Sequence, residues 1–333
     1  MKKEENMDWN EAIALLHGAN WKHTKIGLER MRDFMHALGD PQEKLRYVHI
    51  AGTNGKGSAC VMTQSILTAA GFRTGLYISP HLDQFNERLS IDGQMISDAD
   101  LRRLAGRVRA AAETLGEEPT DFEMITAMAF CWFEEQHCAL VVLEVGMGGR
   151  LDATNVISSP EVCAIMHIGL DHTEFLGDTV EKVAAEKAGI LKPGADCVLY
   201  HQLPSVMDVV QQRFADVNPD AAARLVITDP TAFTARARTI DGQVFDYRVR
   251  QHLRIQLLGN YQMENAMAVL DIIDCLIRRG WGISEDAIRA GLAQATWPGR
   301  FEVLSRESLL IVDGAHNPNG VEALVDTIRA YFP

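Results

Sequence analysis

The chain has 333 residues, 47% hydrophobic and 23% charged, enough for a folded core and for two domains. Its net charge of −13 argues against nucleic acid as a partner, because phosphate-backbone binding needs a basic surface, so any polyanionic ligand must meet locally concentrated Lys and Arg. No apolar run approaches the ~20 residues that span a bilayer, and the polar start Met1-Lys2-Lys3-Glu4-Glu5-Asn6 leads into no apolar h-region, so neither a membrane partner nor a signal peptide is expected.

Six cysteines, Cys60, Cys131, Cys138, Cys163, Cys197 and Cys275, lack metal-ligand spacing and lie mostly in apolar runs. They read as buried free thiols, which fits a reducing, cytoplasmic setting. Residues 8–18 and 25–38 have the pattern of amphipathic helices, the second through Ile26, Leu28, Met31, Phe34, Met35 and Leu38. A strand over 46–51 then delivers Gly52-Thr53-Asn54-Gly55-Lys56-Gly57-Ser58, and a helix follows.

Strand, glycine-rich turn and helix form a phosphate cradle, in which loop amides, a helix N-terminus and Lys56 supply positive potential. The usual pattern is G-x-x-x-x-G-K-[ST]. Here only two residues separate Gly52 from Gly55, and Gly57 stands where Ser or Thr should help hold magnesium. A glycine-rich helix start with an exposed lysine is the alternative.

A second strand, Thr74 to Ile78, runs into the polar loop 79–88, read as a possible lid, and a small hairpin turns at Asp92-Gly93. Helices are predicted over 98–115 and, largely buried, over 121–136. The near-continuous apolar run 139–145 has the character of a central parallel strand and ends in Glu144 and a glycine cluster. Another buried strand, 162–168, ends near His172. Asp178 and Glu181 frame the start of a helix over 179–188, with Gly189 as its C′ glycine. Strand-like segments follow within 220–258, then helices over 260–279 and 284–294, a turn at Trp297-Pro298-Gly299-Arg300, strands 301–304 and 309–312, and a helix over 320–331. Polar clusters thus recur at strand C-termini, where ligands bind in open α/β sheets.

Glu144 is a candidate magnesium ligand, since an unpaired carboxylate at the end of a buried strand is costly; a salt bridge to Arg150 or a nearby lysine is the competing reading. His172 and, more weakly, Ser79 share that strand-end position. Lys187, near a helix C-terminus, reads by default as a solvated lysine favoured by the dipole. Asp313 and His316 at a strand end suit phosphoryl chemistry, though a capped turn accounts for them nearly as well.

The segments HIAGTNGKGS (49–58), SPHLDQFNER (79–88), DFEMITAMAF (121–130), LEVGMGGRLDATN (143–155), IGLDHTEFLGDTVEKVAAEKAGILKPG (168–194), GNYQMENA (259–266), WPGRFE (297–302) and VDGAHNPNG (312–320) cover nearly the whole chain. In this order they resemble the folylpolyglutamate synthase and dihydrofolate synthase family of the Mur ligase superfamily. The short segment before the phosphate loop and the Lys56-Gly57-Ser58 order favour that branch over the cell-wall ligases.

The resemblance implies a P-loop, Mur-ligase-type α/β domain with a doubly wound, mainly parallel sheet over residues 1–296. Residues 297–333 would be a linker and the first part of a smaller C-terminal domain that the chain does not complete. It implies ATP-dependent addition of L-glutamate to dihydropteroate or a reduced folate through an acyl phosphate, by a monomer. Gly52, Thr53, Asn54, Gly55, Lys56, Gly57, Ser58, Asn265, Arg300 and Asp313 would bind ATP. Lys56, His172, Lys187, Asp313 and His316 would serve catalysis, and Ser79, Glu144 and His172 would hold Mg2+. Lys187 would be carbamylated, against its default reading. Arg88, Thr120 and Phe122 are expected on the folate side. A relative that binds nucleotide without turnover, or another Mur-type amino-acid ligase, is the alternative.

Overall fold

The computed structural model describes residues 9–17, 27–220 and 222–332. Helices α1 (Trp9–Leu15) and α2 (Glu29–Ala37) come first. Residues 8, 18, 25 and 26 of the expected helices lie outside the described residues.

The sheet begins with β1 (Tyr47–Ala51), followed by α3 (Lys56–Ala69), β2 (Thr74–Tyr77) and the hairpin β3 (Leu89–Ile91) and β4 (Gln94–Met95). Next are α4 (Asp98–Ala112), α5 (Asp121–Glu135), β5 (Leu140–Glu144) and β6 (Val162–Ile165). Then come α6 (Thr173–Leu176), α7 (Val180–Ala188), β7 (Asp196–Leu199), α8 (Pro204–Val217) and β8 (Leu225–Ile227). A three-stranded antiparallel sheet is formed by β9 (Phe233–Thr239), β10 (Gly242–Tyr247) and β11 (Arg250–Ile255). The chain continues through α9 (Asn260–Arg278), α10 (Glu285–Gln294), the antiparallel pair β12 (Glu302–Ser305) and β13 (Leu310–Val312), and α11 (Pro318–Tyr331).

The main sheet has the order β4-β3-β2-β5-β1-β6-β7-β8, parallel from β2 to β8 and antiparallel at β3 and β4. Every residue of β1, β5 and β6 is buried, which is why these strands read as unbroken apolar runs rather than alternating ones. One face packs on α3, α9 and α10 through Ile50, Ile66, Val269 and Leu292. The other packs on α2, α4 and α5 through Tyr47, Met31, Leu104 and Phe130, and on α7 and α8 through Cys197, Val183 and Val210. The doubly wound, mainly parallel architecture is as expected, and all six cysteines are free and buried. Ile50 pairs with Glu144 and Ala51 with Ile165, so β1, β5 and β6 end level at one sheet edge.

Several local expectations are corrected. α7 is capped by Thr179, whose side chain accepts the Lys182 N–H, while Asp178 is 2.7 Å from Lys182 Nζ. Gly189 is right-handed, with φ −63°, so it is not a left-handed C′ glycine. It is needed for space, since a Cβ there would come within 2.6 Å of Arg150 Cα. Helix α8, whose buried Val206 and Val210 stand one turn apart, was not read from the sequence. Nor was β9, an edge strand with mostly exposed residues. α4 stops at Ala112 rather than 115.

Candidate active site

Gly52 to Ser58, Ser79, Glu144, Asp171, His172, Lys187, Asn265, Arg300, Asp313 and His316 all line one cavity of about 470 Å3 at the level edge of β1, β5 and β6. The phosphate loop is held from behind. The Thr53 and Asn54 N–H groups both donate to His167 O, at 2.8 and 3.2 Å. The Thr53 hydroxyl donates to Gly169 O at 3.0 Å. Gly55 is the N-cap of α3, left-handed at φ 83°, and supplies no side-chain cap. The first amides of α3 therefore have no intrahelical acceptor and form a site for an anion.

A Cβ on Gly55 would meet Asn265 Oδ1 at 2.4 Å, and one on Gly57 would meet the Trp297 ring at 2.8 Å. The second contact explains the departure at Gly57, since no Ser or Thr side chain fits beneath that indole. Trp297 itself lines the cavity but was read only as part of a linker turn. The Lys-Gly pair in place of Lys-Ser was its available signal. Gly55→Ala combines left-handed strain with collision, and nucleotide affinity is expected to fall at least about tenfold. Calorimetric titration with a non-hydrolysable ATP analogue checks this.

Glu144 is 5% exposed and receives the Ser79 N–H at 3.0 Å. Arg150, its alternative partner, instead donates to Glu186 at 2.9 and 3.1 Å. Burial raises the Glu144 pKa, and Lys56 is the foremost charge opposing that rise. His172 begins α6 in a left-handed conformation, φ 48°, and has a half-exposed side chain. Among the described residues, no three His, Cys, Asp or Glu side chains form a metal-binding cluster.

Lys187 is not a solvated lysine. It is 4% exposed, and Nζ donates to Gly52 O at 2.9 Å. Burial first, and the Lys56 charge second, lower its pKa to about 7, with Asp171 and Asp152 opposing. Gly149 packs against it, its would-be Cβ lying 3.0 Å from Lys187 Cα.

The far wall comes from α9, the 297–301 turn and the loop after β13. Asn265 donates to Gln262 Oε1 at 3.1 Å. The Asp313 carboxylate receives the N–H groups of Phe301 and Ala315, each at 2.8 Å, and so also braces its own turn. His316 Nδ1 is 2.8 Å from Gly314 O. Asn317, not among the residues expected at the site, meets the Asn54 side-chain amide of the phosphate loop with its own.

A second cavity, of about 750 Å3, is lined by Trp9, Phe85, Arg88, Phe122 and Ile125 among others. Arg88 Nε donates to His81 Nδ1 at 2.8 Å, and its guanidinium lies 5.6 Å from the Phe85 ring centre. Phe122 sits so close to Gly146 that a Cβ there would be 2.5 Å from the ring. Gly146 lines the first cavity, so the two cavities adjoin at this contact. Thr120 lines neither. It is the N-cap of α5, in a reciprocal capping box with Glu123. The bidentate Arg30–Glu123 pair, at 2.8 and 3.1 Å, clamps α2 to that helix start.

A parallel sheet with a phosphate loop at its central strand, a carboxylate at the end of the neighbouring strand β5 and a buried lysine of α7 beside them defines the Mur-type class of ligases; residues 50–273 match the Mur ligase middle domain. A relative from Bacillus subtilis (strain 168), "Dihydrofolate synthase/folylpolyglutamate synthase", is 36% identical over 97% of this chain and 77% of its own length. "Folylpolyglutamate synthase" of Lacticaseibacillus casei is 35% identical over 98% of this chain and 78% of its own. The apo form of L. casei FPGS superposes with a TM-score of 0.91 at 35% identity, covering 98% of this chain and 81% of that one. A further structure, an FPGS-AMPPCP-folate complex, also gives 0.91 at 35% identity, over 97% of this chain and 80% of that one. The chain belongs to the folylpolyglutamate synthase/dihydrofolate synthase family of ATP-dependent ligases.

Proposed function

We propose that the enzyme joins the amine of L-glutamate to the carboxylate of dihydropteroate or a reduced folate, with ATP as phosphoryl donor. The observation that carries this reading is the junction at Gly146, where an aromatic-lined cavity meets the cavity holding the phosphate loop, Glu144 and Lys187. The L. casei enzyme's likeness, and the folate and AMPPCP named in its relative's complex, support the substrate classes.

The loop amides and Lys56 hold the β- and γ-phosphates. Asn265, Arg300, Asp313 and His316 contact the nucleotide from the far wall. Phe122 and Arg88 bind the pterin-bearing substrate, and Thr120 acts on it indirectly by starting α5. The substrate carboxylate attacks the γ-phosphorus, ADP leaves, and an acyl phosphate forms. The glutamate amine then adds to that carbonyl, and phosphate departs from the tetrahedral adduct. Lys56 and the amides are already in place for the charge that develops.

Ser79, Glu144 and His172 are the residues that would hold Mg2+. A buried carboxylate with one backbone donor and, among the described residues, no ion pair suits a hard cation, and the open donor set leaves room for phosphate oxygens and water. When bound, the ion screens phosphate charge so that an anionic carboxylate can approach. The lowered pKa of Lys187 supplies the neutral amine that carbamylation by CO2 requires. Residues 297–333 act as a linker and a second unit facing the 1–296 unit, and the protein works as a cytoplasmic monomer.

The test is ADP and phosphate release that requires glutamate together with dihydropteroate or tetrahydrofolate; release indifferent to the pterin substrate would refute the reading. Phe122→Ala is expected to raise KM for that substrate about tenfold, leaving KM for ATP within about twofold.

A further inference from the structure

His49 lies in β1, three positions before the phosphate loop, fully buried. Its Nε2 is 2.9 Å from Thr154 Oγ1. Thr154 Oγ1 is in turn 2.5 Å from Asp152 Oδ1, which also receives the Thr154 N–H at 3.0 Å. Asp152 Oδ2 receives the Met147 N–H at 2.9 Å.

With the Met147 N–H, the Thr154 N–H and the Thr154 hydroxyl converging on it, Asp152 is the acceptor. The single Thr154 hydroxyl proton therefore goes to Asp152, and the hydroxyl oxygen must accept from His49. That assigns His49 the Nε2–H tautomer. Among the described residues Nδ1 has no hydrogen-bond partner, and as a bare lone pair it is the ring nitrogen that costs less to leave so. Burial keeps the imidazole neutral, with a pKa of about 3.

This chain of donors ends on the carboxylate that ties down residues 146–152. That loop reaches both cavities and Lys187. Gly146 supports Phe122, Met147 and Gly148 line the nucleotide cavity, and Gly149 packs on Lys187. The Arg150 N–H donates to Glu186 O at 2.8 Å, fastening the loop to α7.

We propose that His49 is a positioning residue: through Thr154 it orients Asp152, and thereby sets the 146–152 loop as the shared wall of the two cavities. It links the strand that delivers the phosphate loop to the wall that presents the carboxylate substrate. The catalytic part of this inference rests on the ligase reading above; the structural part does not.

Two near-isosteric pairs separate the hydrogen bond from the packing. Thr154→Val and His49→Met remove the donor; Thr154→Ser and His49→Gln keep one. The first pair is expected to lower kcat/KM for the pterin substrate at least about tenfold, with KM for ATP within about twofold, and the second pair to retain most of the activity. The double variant His49→Met/Thr154→Val is expected to be no worse than Thr154→Val alone, because both changes break one chain. Hydrogen exchange of the 146–154 segment should quicken in His49→Met while β1 and β5 keep their protection, a readout that holds whether or not the enzyme glutamylates folates. Unchanged exchange and KM in His49→Met, or additive losses in the double variant, would overturn the proposal. So would faster exchange throughout the sheet at constant KM, which would mean that His49 serves packing alone.

Discussion

Lys187→Met is expected to cut glutamate addition by at least about 100-fold while making the protein more stable. The two effects share one cause. Lys187 titrates at about 7 rather than 10.5 because it is buried, so at neutral pH the fold works against its protonated form. Below about pH 7 the amine is protonated in both folded and unfolded chains, and the destabilisation is fully present. Between about 7 and 10.5 the unfolded chain binds more protons, so wild-type stability rises with pH through that window. Methionine removes the dependence. At neutral pH, in CO2-free buffer, the gain is of order 3 kcal/mol, less about 1 kcal/mol for the lost bond to Gly52 O. Thermal unfolding at neutral and alkaline pH, with the two curves converging at the alkaline end, checks the sign. Activity carries the second test: the wild type should lose rate when CO2 is stripped and regain it with bicarbonate, whereas Lys187→Met should not respond. Normal turnover in the variant would remove the proposed role.

Glu144→Gln is the second large effect. Turnover should fall at least about 100-fold, and the Mg2+ concentration needed for half-maximal rate should rise about tenfold. Burial raises the folded pKa of Glu144. Between the unfolded carboxylate pKa and that raised value the folded chain binds more protons, so wild-type stability falls as pH rises through the window. The glutamine variant escapes this loss and can still accept the Ser79 N–H. It should match the wild type at acid pH and exceed it at neutral pH in thermal unfolding. An unchanged Mg2+ requirement would place the ion elsewhere.

Much of this site was legible because its parts sit where buried strands end. An unbroken apolar run ending in Glu144 has the pattern of a strand buried on both faces that delivers a carboxylate to the sheet edge, and β5 is that strand. The residues that resisted reading owe their roles to distant neighbours. Gly57 looks like a defect until Trp297 covers it. Lys187 looks solvated because helix position suggests the dipole, whereas its burial comes from Gly149 and the phosphate loop, far off in sequence. Thr120 is the reverse case. Thr120-Asp121-Phe122-Glu123 carries the capping-box spacing, so the sequence already holds its structural role beside the expected place on the folate side. Helix α8 and strand β9 were missed because each leaves most of its residues exposed or half-buried, which weakens the apolar period.

Asn317 draws together what the last loop does. Its Oδ1 caps α11 at the Gly320 N–H, 2.8 Å away, while its Nδ2 reaches Asn54 Oδ1 at 3.0 Å and Asp171 Oδ2 at 3.3 Å. Asp313, four positions earlier, holds Phe301 and Ala315. Both ends of a five-residue turn are thus pinned to different parts of the molecule. Surface turns commonly tolerate insertions and deletions, but one residue more or fewer here would forfeit either the helix cap or the grip on the phosphate loop. The turn is a spacer of set length, and homologous chains should vary in size before or after it, not within it.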